Sequence, residues 1–148
     1  MTQPEERVGP VEDAVGYVLK QAAAALRNAM DEVLRPLNLT VPQYSCLEVL
    51  GQRPGLSNAE LARSTFVTRQ SMNVVLQNLE GRGLVSRPAT APVGRELPTM
   101  LTPAGREQLH AASAAVRRIE RKMCAGLDRP QQEALLELLR TCCRNLAA

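Results

Sequence analysis

The chain has 148 residues, 45% of them apolar, and a formal net charge of +3; this suits one globular domain that buries roughly two thirds of its surface. No apolar run approaches the roughly 18 residues a membrane span needs. The polar, acidic start lacks the basic and apolar regions of a signal peptide, so a cytoplasmic chain is expected, with disorder confined to residues 1–9.

The charge is unevenly placed. Between Arg53 and Arg106 there are seven arginines against Glu60, Glu80 and Glu96, whereas the rest of the chain is slightly acidic. A positive field concentrated on one third of the sequence is what phosphate binding requires.

Residues 11–37 carry Val11, Val15, Val18, Leu19, Ala22, Leu26, Met30, Val33, Leu34 and Leu37 at helical spacing. This predicts one long helix of about 40 Å, weakened near its start by Gly16 and closed near Pro36. Such a helix has more apolar surface than a small domain can cover. Thr40 then caps a second helix, with Gln43 in the capping-box position and Pro42 in the first turn. Tyr44, Leu47 and Leu50 give that helix its inner face, and Arg53-Pro54-Gly55 ends it.

Ser57 and Glu60 form a second capping box ahead of a short helix. The pattern breaks at Ser64-Thr65-Phe66-Val67 and restarts at Thr68, a further N-cap. From there Met72, Val75, Leu76 and Leu79 make one apolar stripe, while Arg69, Gln70, Asn73 and Gln77 occupy the other face, flanked by Ser71, Val74 and Asn78. Gly81 and Gly83 stop this helix. Two short helices joined by a tight turn, the second polar outside, describe a helix-turn-helix. Residues 84–87 and 95–101 read as two strands joined by a Pro/Gly loop, and Pro98 makes the second an edge strand. A hairpin in this place is a wing. Thr102 opens a long helix carrying Leu109, Ala112, Val116, Ile119 and Met123. Gly126 interrupts it, and Asp128 with Gln131 caps a last helix lined by Leu135, Leu138, Leu139, Cys142 and Leu146.

In this order the chain resembles the MarR family of bacterial regulators. The resemblance rests on Leu39-Thr40-x-x-Gln43-x-x-x-Leu47-x-x-Leu50, Glu60-Leu61-Ala62, Leu79-Glu80-x-x-Gly83-Leu84-Val85-x-Arg87 and Leu101-Thr102-x-x-Gly105, and it covers residues 11–146. It implies a mainly α fold with a small β-hairpin wing, a winged helix-turn-helix at 40–102 within a single domain of residues 1–148. It also implies a homodimer built by the helices at 11–37 and 103–148, and a repressor or activator that responds to a small ligand or an oxidant. Two positions depart from the family pattern. Val93 stands where many members carry an aspartate that orients the wing arginine, here Arg95, and Val74 stands where many carry an arginine. The departures imply a changed operator preference.

Arg69, Gln70, Ser71 and Asn73 are the residue types that read base edges, and they sit in the turns that enter the major groove in helix-turn-helix docking. Thr68, Ser57 and Asn58 can offer side chains or helix N-terminal amides to phosphates. Arg95 can reach a minor groove from the wing, and Arg87 suits either a phosphate or an ion pair. The expected partner is double-stranded DNA carrying an imperfect palindrome. The resemblance places a ligand pocket between the dimerisation helices and the winged region; Tyr17, Tyr44 and Phe66, the only aromatics, are its candidate residues, so its lining is expected to be mainly aliphatic. Of the four thiols, Cys46 reads as core, while Cys142 and Cys143 are the redox candidates. One histidine and no Cys-x-x-Cys pair predict no metal site, and no catalytic constellation or cofactor motif appears. Two other uses stay open: a winged-helix dimer that binds proteins, and a thiol-based redox regulator.

Overall fold

The computed structural model describes residues 9–88 and 97–147. The N-terminal stretch before Gly9 and the hairpin tip, with Val93 and Arg95, lie outside the described residues. Six α-helices and two short strands follow one another: α1 (Val15–Leu34), α2 (Val41–Gln52), α3 (Asn58–Thr65), α4 (Arg69–Gly81), β1 (Val85–Ser86), β2 (Met100–Leu101), α5 (Pro103–Met123) and α6 (Arg129–Ala147).

The capping chemistry is where the spacing places it. Thr40 accepts from the Gln43 amide while Gln43 reaches back to the Thr40 amide, and Ser57 and Glu60 repeat the exchange at α3. Thr68 accepts from the Ser71 amide, Thr102 from that of Gly105, and Asp128 from that of Gln131. Each satisfies an amide that the first helical turn leaves unpaired.

Three helix ends share one device. After Leu34, Ala62 and Leu79 the chain turns through a left-handed residue, Asn38, Phe66 or Gly83, and the next amide bonds back to that leucine or alanine carbonyl. This is the Schellman arrangement, in which the returning residue packs on the helix it has just left. Leu39 and Leu84 are accordingly buried beside Leu34 and Leu79.

Two expectations need correction. Residues 11–37 are not one helix: a 3-10 turn at Val11–Asp13 and another at Arg35–Leu37 flank a 20-residue α1, about 30 Å long. Ala14 is extended between the first turn and α1, and Asn38 turns left-handed after the second. The strands are also shorter than 84–87 and 95–101. Among the described residues Val85 pairs with Leu101 and Ser86 with Met100 in the antiparallel ladder, and Leu56, just ahead of α3, bridges Thr99. Pro98 therefore precedes β2.

The core gathers around α2. Leu47 and Leu50 meet Leu34 from α1, Leu61 from α3, and Met72, Leu76 and Leu79 from α4, all nearly or wholly buried. β1 and β2 close it with Val85 and Leu101, and α5 with Ala112. Gly105 lets α5 start there: a Cβ at that position would fall 2.0 Å from the Leu84 carbonyl oxygen. By contrast no residue of α6 is buried.

Candidate nucleic-acid interface

α3 and α4 pack on each other across the turn at Phe66–Val67. Met72, Leu76 and Leu79 hold α4 to the core, which fixes the face it turns outward. At 100° per residue, Val74 lies within about 15° and Gln70 within about 30° of the direction opposite that buried stripe, with Gln77 beside them. All three are exposed, as are Arg69, Ser71 and Asn73. Arg69 is the first residue of α4, so its side chain projects from the N-terminal end of the helix.

The sequence candidates take different places on this frame. Thr68 accepts from the Ser71 amide and donates to the Ser71 hydroxyl, so both hydroxyls are engaged at the mouth of α4. Asn58 donates its Nδ2 to Asn73 Oδ1 at 3.4 Å, tying the start of α3 to the flank of α4. Ser57 is a correction: it is buried, its Oγ accepting from the Glu60 amide and donating to the Glu60 carboxylate. Its side chain braces the helix and is not free for phosphate. Arg87 is an ion-pair partner, 3.2 Å from Glu80 Oε1, which fastens the root of the wing to α4. Arg95 lies outside the described residues. Val74, expected at the flank of this face, stands at its centre as an exposed valine.

The three aromatic candidates stand apart from one another. Phe66 is 94% exposed in the helix-turn-helix turn, held left-handed at φ 62°. Tyr17 is exposed on α1. Tyr44 is buried in the core, and that burial, followed by the Glu48 carboxylate, raises its pKa above the ordinary phenol value.

A cleft of about 530 Å³ opens instead between α2, β2 and α5, the junction where a ligand site was expected. Leu50, Met100, Leu101 and Leu109 supply apolar wall, and Arg106, His110 and Arg117 supply cationic or hydrogen-bonding groups. The acidic group there is already engaged: Glu48 accepts from Gln52 through Oε1 and from Ser113 through Oε2.

Cys46 is buried, and desolvation pushes its thiol up to about 12, so it stays protonated and inert near neutral pH. Cys142 and Cys143 are exposed on α6, but the adjacent Arg144 guanidinium is bound by Glu137 and Thr141. Among the described residues no group of three His, Cys, Asp or Glu side chains is placed to hold a metal ion, and no helix is long and apolar enough to cross a membrane.

A two-helix unit with an exposed polar second helix, followed by a paired hairpin root, defines a winged helix-turn-helix protein. A MarR family model matches residues 37–96. The HTH-type transcriptional repressor Rv2887 of Mycobacterium tuberculosis is 45% identical over 133 residues, covering 89% of this chain and 96% of that protein. Its structure in complex with DNA has a TM-score of 0.72 at 42% identity, over 86% of this chain and 95% of that one. The transcriptional repressor CouR bound to a 23-mer DNA duplex gives a TM-score of 0.82 at 32% identity, over 95% and 99% of the two chains. The chain belongs to the MarR family.

Proposed function

We propose that the chain is a homodimeric, sequence-specific DNA-binding repressor of transcription, released from its operator by a small-molecule ligand. The observation that carries this is the outward face of α4, polar and exposed while its opposite face is sealed into the core. The DNA-bound Rv2887 and CouR structures and the repressor relatives support it.

In this reading α4 lies in the major groove. Gln70 and Asn73 address base edges, Arg69 and Ser71 act from its N-terminal turn, and Thr68 and the amides of Asn58 face the phosphates. The wing carries Arg95 toward the flanking minor groove, its root anchored by Arg87 and Glu80. Pairing of two chains through α1, α5 and α6 covers the leucines and valines that a single chain leaves in water. A protein-binding use of α4 would call for an apolar face, and Gln70, Asn73 and Gln77 do not make one.

The cleft at α2, β2 and α5 is the proposed effector site. It abuts both the helix that leads into the dimer and the strand that carries the wing, so a ligand there touches both parts at once. The same relative has a structure with salicylic acid, and salicylate is a suitable probe. Fluorescence anisotropy with duplexes from beside the chain's own gene tests the proposal. Wild type should hold one fragment far above scrambled DNA, and salicylate should release it. Arg69→Ala should lose about 1–3 kcal/mol of that preference. Equal binding of wild type to every fragment would refute sequence-specific recognition.

A further inference from the structure

We infer that Val74 is a specificity-determining residue of the DNA interface and that it reads the C5-methyl group of a thymine. The inference rests on the proposed DNA-binding use of α4 and adds a contact to it. Three observations carry it. Val74 is 63% exposed although Met72, Leu76 and Leu79 complete the α4 side of the core without it. It sits nearer the centre of the outward face than any of the polar residues beside it, so docking the helix brings its two methyls to the floor of the groove. Finally, its neighbours one turn away on that face, Gln70 and Gln77, are polar and exposed, so the valine is an isolated apolar contact point and not part of a patch for a protein partner.

The chemistry selects the ligand group. A valine has no donor or acceptor and is blind to guanine, cytosine and adenine edges in the hydrogen-bonding sense. The thymine methyl is the one apolar group that base pairs present in the major groove. Gln70 and Val74 are four residues apart, so their Cβ atoms lie about 5–6 Å from each other, a distance of one to two base-pair steps at about 3.4 Å each. The thymine should therefore fall within two base pairs of the position that Gln70 reads.

Deoxyuridine differs from thymidine only by that methyl group, which makes a direct test. An operator is first selected from a pool of random duplexes. Each thymine in the selected site is then replaced singly by deoxyuridine, and affinities of wild type, Val74→Ala and Val74→Ser are measured by anisotropy. At one thymine per half-site, wild type should lose about fourfold on removal of the methyl, and about fifteenfold when both half-sites are changed. Both variants should bind the thymine and deoxyuridine duplexes equally there, while other thymines behave alike in all three proteins. Deoxyuridine replacement without effect at every position, or an unchanged methyl penalty in Val74→Ala, would overturn the inference and leave DNA reading by Gln70 and Asn73 standing. A pool from which no sequence is enriched would overturn the DNA-binding reading and the Val74 contact together.

Discussion

The body built around α2 and the helices that leave it obey different physical rules. In the body the apolar side chains turned toward α2 find their neighbours within one chain: Leu47, Leu61, Met72 and Leu76 are wholly buried. On α6 and the first half of α1, residues with the same periodicity remain in water, among them Val15, Leu138 and Leu146. Amphipathic spacing thus marks a face that must be covered without saying which molecule covers it. The body is closed within one chain, whereas the outer helices leave apolar faces uncovered.

Matched substitutions in the two regions sharpen that contrast. Leu76→Ala should lower stability by about 2–5 kcal/mol, to the same extent at any protein concentration. Leu138→Glu, at a position 65% exposed in the single chain, should leave the body folded and shift light scattering toward the 16.1 kDa chain mass. Its melting temperature should stop depending on concentration. Equal scattering masses for wild type and Leu138→Glu would break the comparison.

A glycine pair should give effects of opposite sign. Gly105→Ala drives a Cβ against the Leu84 carbonyl oxygen and should cost about 3 kcal/mol as the backbone shifts. Gly16→Ala, with open space around the new methyl in the single chain, should gain up to about 1 kcal/mol of helix stability. Urea denaturation of the two variants reads both signs. Destabilisation by Gly16→Ala would place a partner helix against that face.

Smaller effects belong to the helix ends of the body. Ser57→Ala removes a buried hydroxyl that caps α3 and holds Glu60, and should cost about 1–2 kcal/mol by thermal denaturation. Phe66→Asn should gain about 0.5–1 kcal/mol, because asparagine adopts the left-handed turn more readily and an almost fully exposed ring gives up little burial. A loss of stability in Phe66→Asn would show that the ring makes a contact in the assembled protein.

Legibility in the sequence followed the range of the interactions. The caps at Thr40, Ser57, Thr68 and Asp128 depend on partners three residues away and were readable, as was the helix opening at Thr102. The face of α4 was readable for the same reason, since the period of Met72, Leu76 and Leu79 sets what turns outward. Strand length was not, because the ladder ends where Leu56 meets Thr99, a pairing across 43 positions of chain numbering. The break at Ala14 and the 3-10 turns at Val11–Asp13 and Arg35–Leu37 also escaped, since three residues of 3-10 turn hardly disturb an apolar spacing. Ser57 shows the same limit from the site's side: its residue type suggested a side chain free for phosphate, and burial against Glu60 engages it instead. Val74 was read as a missing arginine at the flank of that face, whereas the buried stripe of Met72, Leu76 and Leu79 turns it to the centre.

In the proposed function the body docks one major groove, and pairing through the outer helices sets two such bodies on successive grooves. Selection from a random duplex pool with wild type and with Leu138→Glu tests both halves at once. Wild type should enrich an inverted repeat whose half-site centres are about 10–10.5 base pairs apart, the spacing of successive major grooves. The variant should enrich a single half-site weakly or nothing. Enrichment of the same unrepeated site by both proteins would contradict the claim.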